Sequence, residues 1–197
     1  MPRSKSFEPD VALRHATELF WEMGYDATSI SGLEERMGIN RFSIYGTFGD
    51  KKSLYLQCLD AYAAEAWSGA LSYLQTPGGL EGIKRFLGSL VDAPAPIRRR
   101  GCLMMNSIVE LSGRDADIDA SVTRHFRNVE RQLHSAVQSA KERSEIVSDV
   151  EAGDVARTLL VLAHGVLSLC KTDFGQPVAR AAIRTVLDGF VIETCPT

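Results

Sequence analysis

Residues 28–51 read T-S-I-S-G-L-E-E-R-M-G-I-N-R-F-S-I-Y-G-T-F-G-D-K, and they constrain the fold more than any other part of the chain. Apolar residues recur there at helical spacing in two short blocks, Ile30, Leu33 and Met37, then Ile44 and Phe48. Gly38 separates the blocks and supplies the turn. Helices this short are marginal alone, so they must share a core with a third element. The preceding segment provides it. Pro9 suits a first helical turn, and Val11, Ala12, Ala16, Leu19, Phe20 and Met23 form the expected buried stripe, closed by Gly24 as a left-handed cap. Three helices packed this way leave hydroxyl, aromatic and basic side chains outside, which is how a protein presents side chains to a DNA major groove.

The rest of the chain also reads as helical, because no segment sustains period-2 alternation. Asp50 is expected to cap a long fourth helix with Leu54, Tyr55, Cys58, Leu59, Tyr62, Ala63 and Ala66 on one face. Breaks are expected at T-P-G-G (residues 76–79) and A-P-A-P-I-R-R-R (residues 93–100). Further helices are expected at about 80–91, 101–113, 117–143, 151–170 and 177–192. The fold class is therefore all-α with about nine helices. An N-terminal helix-turn-helix domain, residues 1–52, precedes a helical bundle, residues 53–197.

Composition excludes a simple electrostatic account of nucleic-acid binding. Net charge is -3 over 197 residues. Within residues 1–52, Arg3, Lys5, Arg14, Arg36, Arg41, Lys51 and Lys52 face eight acidic residues. Placement of the cations must then do what their number does not. Cys58, Cys102, Cys170 and Cys195 are far apart, so neither a zinc site nor a disulfide framework is expected. No cofactor is expected. The first ten residues have no apolar core of a secretory signal. The apolar run 159–170 is too short to span a bilayer and contains His164, so a cytoplasmic protein is expected.

The pattern from Ala27 to Tyr55, with A-x-x-L-F-x-x-x-G-Y before it at residues 16–25, resembles the TetR family of transcriptional regulators. The spacing of Tyr45, Phe48 and Lys51 is its most specific part, and the resemblance covers about residues 7–56. It implies phosphate contacts at Thr28 or Ser29, Tyr45 and Lys51, and groove-facing positions at Asn40, Arg41, Ser43, Gly46 and Thr47. Gly32 departs from the pattern, standing where the family has a better helix former. It either costs about 1 kcal/mol of helix stability relative to Ala or admits a close neighbour.

Two later helices are apolar on more than one face. Leu159, Leu160, Leu162, Ala163, Val166, Leu167 and Leu169 belong to one, and Ala179, Ala182, Ile183, Val186, Leu187, Phe190 and Val191 to the other. A homodimer through a four-helix interface is expected there, binding a palindromic double-stranded operator. An effector pocket is expected around R-G-C-L-M-M-N-S-I-V-E-L, residues 100–111. Its candidates are Tyr62, Trp67, Phe86, Cys102, Met105, Asn106, Phe126 and His164, with Glu110 one turn from Asn106. The leading expectation is a repressor released from its operator by a small molecule. A redox or electrophile sensor acting through Cys102, near three arginines, is the alternative. An all-helical enzyme is a remote one, since no nucleophile elbow, phosphate loop or metal-binding His pair is present.

Overall fold

A computed structural model describes residues 7–147 and 149–190, with the side chain of Trp67 excepted. Arg3, Lys5, Val191, Ile192 and Cys195 lie outside the described residues, as does the effector candidate Trp67 at the level of its side chain. Among the described residues the elements are α1 (Pro9–Met23), α2 (Ile30–Met37), α3 (Arg41–Phe48), α4 (Lys51–Ser68), α5 (Gly79–Asp92), α6 (Ala95–Arg100), α7 (Leu103–Leu111), α8 (Ala116–Glu142), α9 (Ala152–Leu169) and α10 (Gly175–Asp188). A 3-10 turn, Ala70–Leu74, lies between α4 and α5. The all-α class holds, and none of the described residues forms a strand element.

One of the two expected breaks is corrected and the other, at 76–79, holds. Residues 93–100 are not a plain break, because Pro94 precedes a short helix whose first turn tolerates Pro96. The segment at 76–79 contains a cis Thr76–Pro77 bond, and α5 starts at Gly79. Two members of the expected α1 stripe are also outside it: Val11 is 43% exposed and Met23 56%. Gly24 has φ 82° and ψ 172°, so it closes α1 with a positive φ but not in the left-handed helical region.

The chain divides into two compact units, each with its own packing. The first combines residues 7–65 with Leu103–Thr123, and so joins α1, α2, α3, most of α4, α7 and the first residues of α8. Ala12, Ala16, Phe20, Leu33, Ile44, Phe48, Leu54 and Tyr55 are buried in it. Phe20 and Tyr55 meet edge to face at 4.8 Å, and Tyr25 lies 4.9 Å from Tyr55. The second combines Ala66–Cys102 with the remainder of the chain from Arg124. Its core runs through Ile83, Phe86, Leu87, Leu133, Val137, Ile146, Leu159, Ala163 and Val166.

The Gly32 question is decided by the space around it. A Cβ there would lie 3.4 Å from Ser29 Oγ and 3.8 Å from Leu19 Cδ2, ordinary contact distances, and φ is not positive. No neighbour requires the glycine. Gly32→Ala is therefore expected to raise unfolding free energy by about 0.5–1 kcal/mol, measured by urea denaturation. A destabilised variant would mean that Ser29 or Leu19 cannot yield.

α9 keeps the expected bounds and continues the apolar run toward its N-terminus. Its 18 residues have mean hydropathy 1.3, enough by length and composition to cross a membrane. Its first turns carry Asp154 and Arg157, and Val155, Ala156, Leu159, Ala163 and Val166 are buried within its own unit. It is a core helix of that unit with a second apolar face left over: Val161 is 73% exposed and Leu169 43%.

Candidate DNA interface

The presenting element is α3, and its placement follows from capping and burial. Ser29 caps α2 by accepting from Gly32 N at 3.0 Å, and Gly38 turns the chain with φ 69° and ψ 25°. Asn40 caps α3 in the same way, accepting from Ser43 N at 3.0 Å. Glu34 of α2 fixes the entry to α3, accepting from Arg41 N at 2.7 Å and pairing with the Arg41 guanidinium at 3.6 Å. Ile44 and Phe48 bury one face of α3. The opposite face then carries Arg41, Phe42, Tyr45 and Gly46, all exposed, with Ser43 and Thr47 half-buried at its margins.

Each expected site residue has a definite place. Arg41 keeps 57% of its side chain exposed despite the Glu34 pairing. Tyr45 is 46% exposed, and nothing lies within 4 Å of a Cβ built at Gly46. Lys51 opens α4, with its Nζ 4.4 Å from the Tyr25 ring centroid in a cation–π contact. Thr28 requires a correction. It is 2% exposed and its hydroxyl donates to Gly24 O at 2.6 Å, so of the pair only Ser29 stands in the open. Phe42, absent from the sequence expectations, is 83% exposed.

The first unit holds a set of contacts that spacing could not reveal. The Glu110 carboxylate of α7 accepts from Tyr25 N at 2.9 Å and Asp26 N at 2.6 Å, so it terminates the backbone just past α1. It is therefore not the free polar anchor expected beside Asn106. Arg114 donates to Asp26 Oδ2 at 2.7 Å. Lys52 lies 2.7 Å from both Asp115 and Asp117, which raises its pKa and holds Asp115 below the usual carboxylate range. The Ser107 hydroxyl donates to Leu103 O at 2.8 Å, which leaves the Tyr55 hydroxyl to donate to Ser107 Oγ at 2.7 Å. Burial pushes Tyr55 up to about 12. α7 is thus tied to the turn after α1 and to α4 by bonds between residues 52 to 85 positions apart.

The effector candidates fall in both units. Tyr62, Met105 and Asn106 belong to the first, where Tyr62 packs edge to face on Trp21 at 5.2 Å. Phe86, Cys102, Phe126 and His164 belong to the second. There Phe126 and His164 meet at 4.7 Å, with His125 5.6 Å from Phe126, while Phe86 is 4% exposed and part of the core.

A helix-turn-helix carried on a helical bundle is the architecture of a DNA-binding regulator. Comparison with known families agrees on both parts. Residues 12–58 match the model of bacterial regulatory proteins of the tetR family, and residues 79–186 match the tetracyclin repressor-like C-terminal domain. The chain belongs to the TetR family of transcriptional regulators and is not an enzyme. It is 30% identical over 162 residues to the HTH-type transcriptional regulator YezE of Bacillus subtilis, covering 81% of this chain and 84% of that one. It is 28% identical to the HTH-type transcriptional repressor ComR of Escherichia coli, covering 83% and 79%. Its fold is similar to that of CifR complexed with 26-bp operator DNA, with TM-score 0.82, 21% identity and coverage of 94% and 98%. It is similar also to reduced E. coli NemR, with TM-score 0.83, 18% identity and the same coverages.

Proposed function

We propose that the protein is a homodimeric repressor that holds a palindromic operator and releases it when a small molecule binds. The observation that carries the DNA-binding part is the outward face of α3, where Arg41 and Tyr45 stand exposed around an open Gly46 on a helix anchored by Ile44 and Phe48. Arg41 is suited to a guanine edge, with Asn40, Ser43 and Thr47 beside it. Ser29, Tyr45 and Lys51 are suited to phosphates, Lys51 from the start of α4. The relatives ComR and BdcR of E. coli are named repressors, which supports the same direction of regulation here. A DNA-binding regulator of this kind works in the cytoplasm.

The release step needs only that the effector bind better to a spacing of the two α3 helices that does not fit the operator. The ties from Glu110 and Ser107 make α7 a reporter of such a change, since a shift of α7 drags the turn after α1. Met105 and Asn106 on α7, with Tyr62 of the same unit, are the side chains we assign to the effector. Cys102 is 4% exposed, which supports packing over thiol chemistry.

The test is operator binding by variants. Tyr45→Phe combined with Lys51→Ala should weaken binding to all duplexes and lower the salt slope by about 1. Arg41→Ala should relax base preference at one position, at a cost of about 1–3 kcal/mol. Unchanged affinity and selectivity in both variants would remove these residues from the interface.

A further inference from the structure

Phe42 occupies the second position of α3 and has almost no protein contact, at 83% exposure. An apolar side chain of this size gains about 1.5–3 kcal/mol on burial, so a fully presented one marks a surface that something else covers. Its surroundings narrow what that is. Arg41 precedes it, Ser43 follows it, and Gly46 lies one turn further on the same face with nothing within 4 Å of its Cβ position. The face is thus polar and basic with one wholly apolar ring, Phe42, near the phenol of Tyr45, and it is open at Gly46. A protein partner docking on an apolar patch would need more than a single ring. A major groove would not. Base edges there carry hydrogen-bonding groups and one apolar group, the C5-methyl of thymine.

We propose that Phe42 reads a thymine C5-methyl group in each operator half-site. This rests on the DNA-binding role of α3 given above. A phenyl ring has no hydrogen-bond donor or acceptor, so it gains nothing from guanine, adenine or cytosine edges and is selective by default. Open space at Gly46 lets the groove floor approach the ring. Arg41 and Phe42 then read adjacent positions, one by hydrogen bonding and the other by apolar contact. Phe42 is a specificity-determining residue beside the polar readers.

The experiment uses the full chain and a randomised duplex pool. The pool selected by the unaltered protein defines a palindrome, and each of its thymines is then replaced by deoxyuridine, which removes only the methyl group. One thymine per half-site should lose about 3- to 5-fold in affinity on this change. Phe42→Ala should abolish that sensitivity and relax the base at that position, and Phe42→Leu should retain part of it. Sensitivity that persists in Phe42→Ala, or no uridine-sensitive thymine, overturns the proposal. A Phe42→Ala protein with altered mass in solution also overturns it, since the ring would then serve a protein contact. If the unaltered protein selects no duplex, the DNA-binding role itself fails, a distinct result.

Discussion

Val161→Asp is expected to convert the protein to a monomer and to cut operator affinity about 100-fold or more. The size follows from linkage. Two half-sites held by one dimer gain about 10²–10⁴ in avidity over a single half-site, and a monomer forfeits it. The position suits the test because it is exposed. Val161 is 73% exposed within its own chain, so a carboxylate there leaves the monomer's core intact. In the proposed interface the same carboxylate would lose its water without a partner, at several kcal/mol. Leu169 on α9 and Val178 on α10 are also exposed, at 43% and 36%. Sedimentation would report the mass and circular dichroism the unchanged helix content. A variant that stays dimeric would place the interface elsewhere.

Acid should destabilise the second unit by about 3 kcal/mol between pH 6.5 and pH 4, through His125. Burial first, and then the charge of His164, lower the His125 pKa from 6.5 to about 4. The sign is set by which state takes the proton. An unfolded chain protonates this imidazole near pH 6.5, while the folded chain resists until about pH 4. Stability is therefore full above pH 6.5, falls as pH drops toward 4, and is level below. His164 is lowered too, chiefly by burial, and acts in the same direction. Urea unfolding at pH 7 and pH 5 checks this, and His125→Gln should flatten the dependence. An equal slope in the variant would assign the acid sensitivity to other groups.

Legibility in the sequence followed the range of the interactions. The bounds of α1, α2 and α3 rest on Pro9, Ser29, Gly38 and Asn40, which act within four residues, and they emerged as expected. The outward positions Arg41, Tyr45 and Gly46 follow from the helical period once Ile44 and Phe48 are assigned to the core. Phe42 was equally accessible to that reasoning, but an aromatic residue in a helix suggests burial, and only exposure distinguishes the two. Val11 and Met23 failed for the opposite reason: they are apolar, yet α1 buries a narrower stripe than its sequence allows.

Thr28 and Glu110 show where sequence reasoning stops. Thr28 and Ser29 are adjacent hydroxyls at a helix start, and chain direction alone decides that one hydroxyl turns back to Gly24 while its neighbour caps α2. Glu110 reads as a polar group one turn from Asn106, and its partners are backbone amides 84 and 85 residues away. Backbone amides carry no sequence signature, so no pattern could have assigned them. The sequence by itself determined the three short helices of the reading head and the family, because period and capping are local. Only the tertiary structure decided that α7 packs in one unit with the reading head, because that tie is made by long-range bonds to groups every residue possesses.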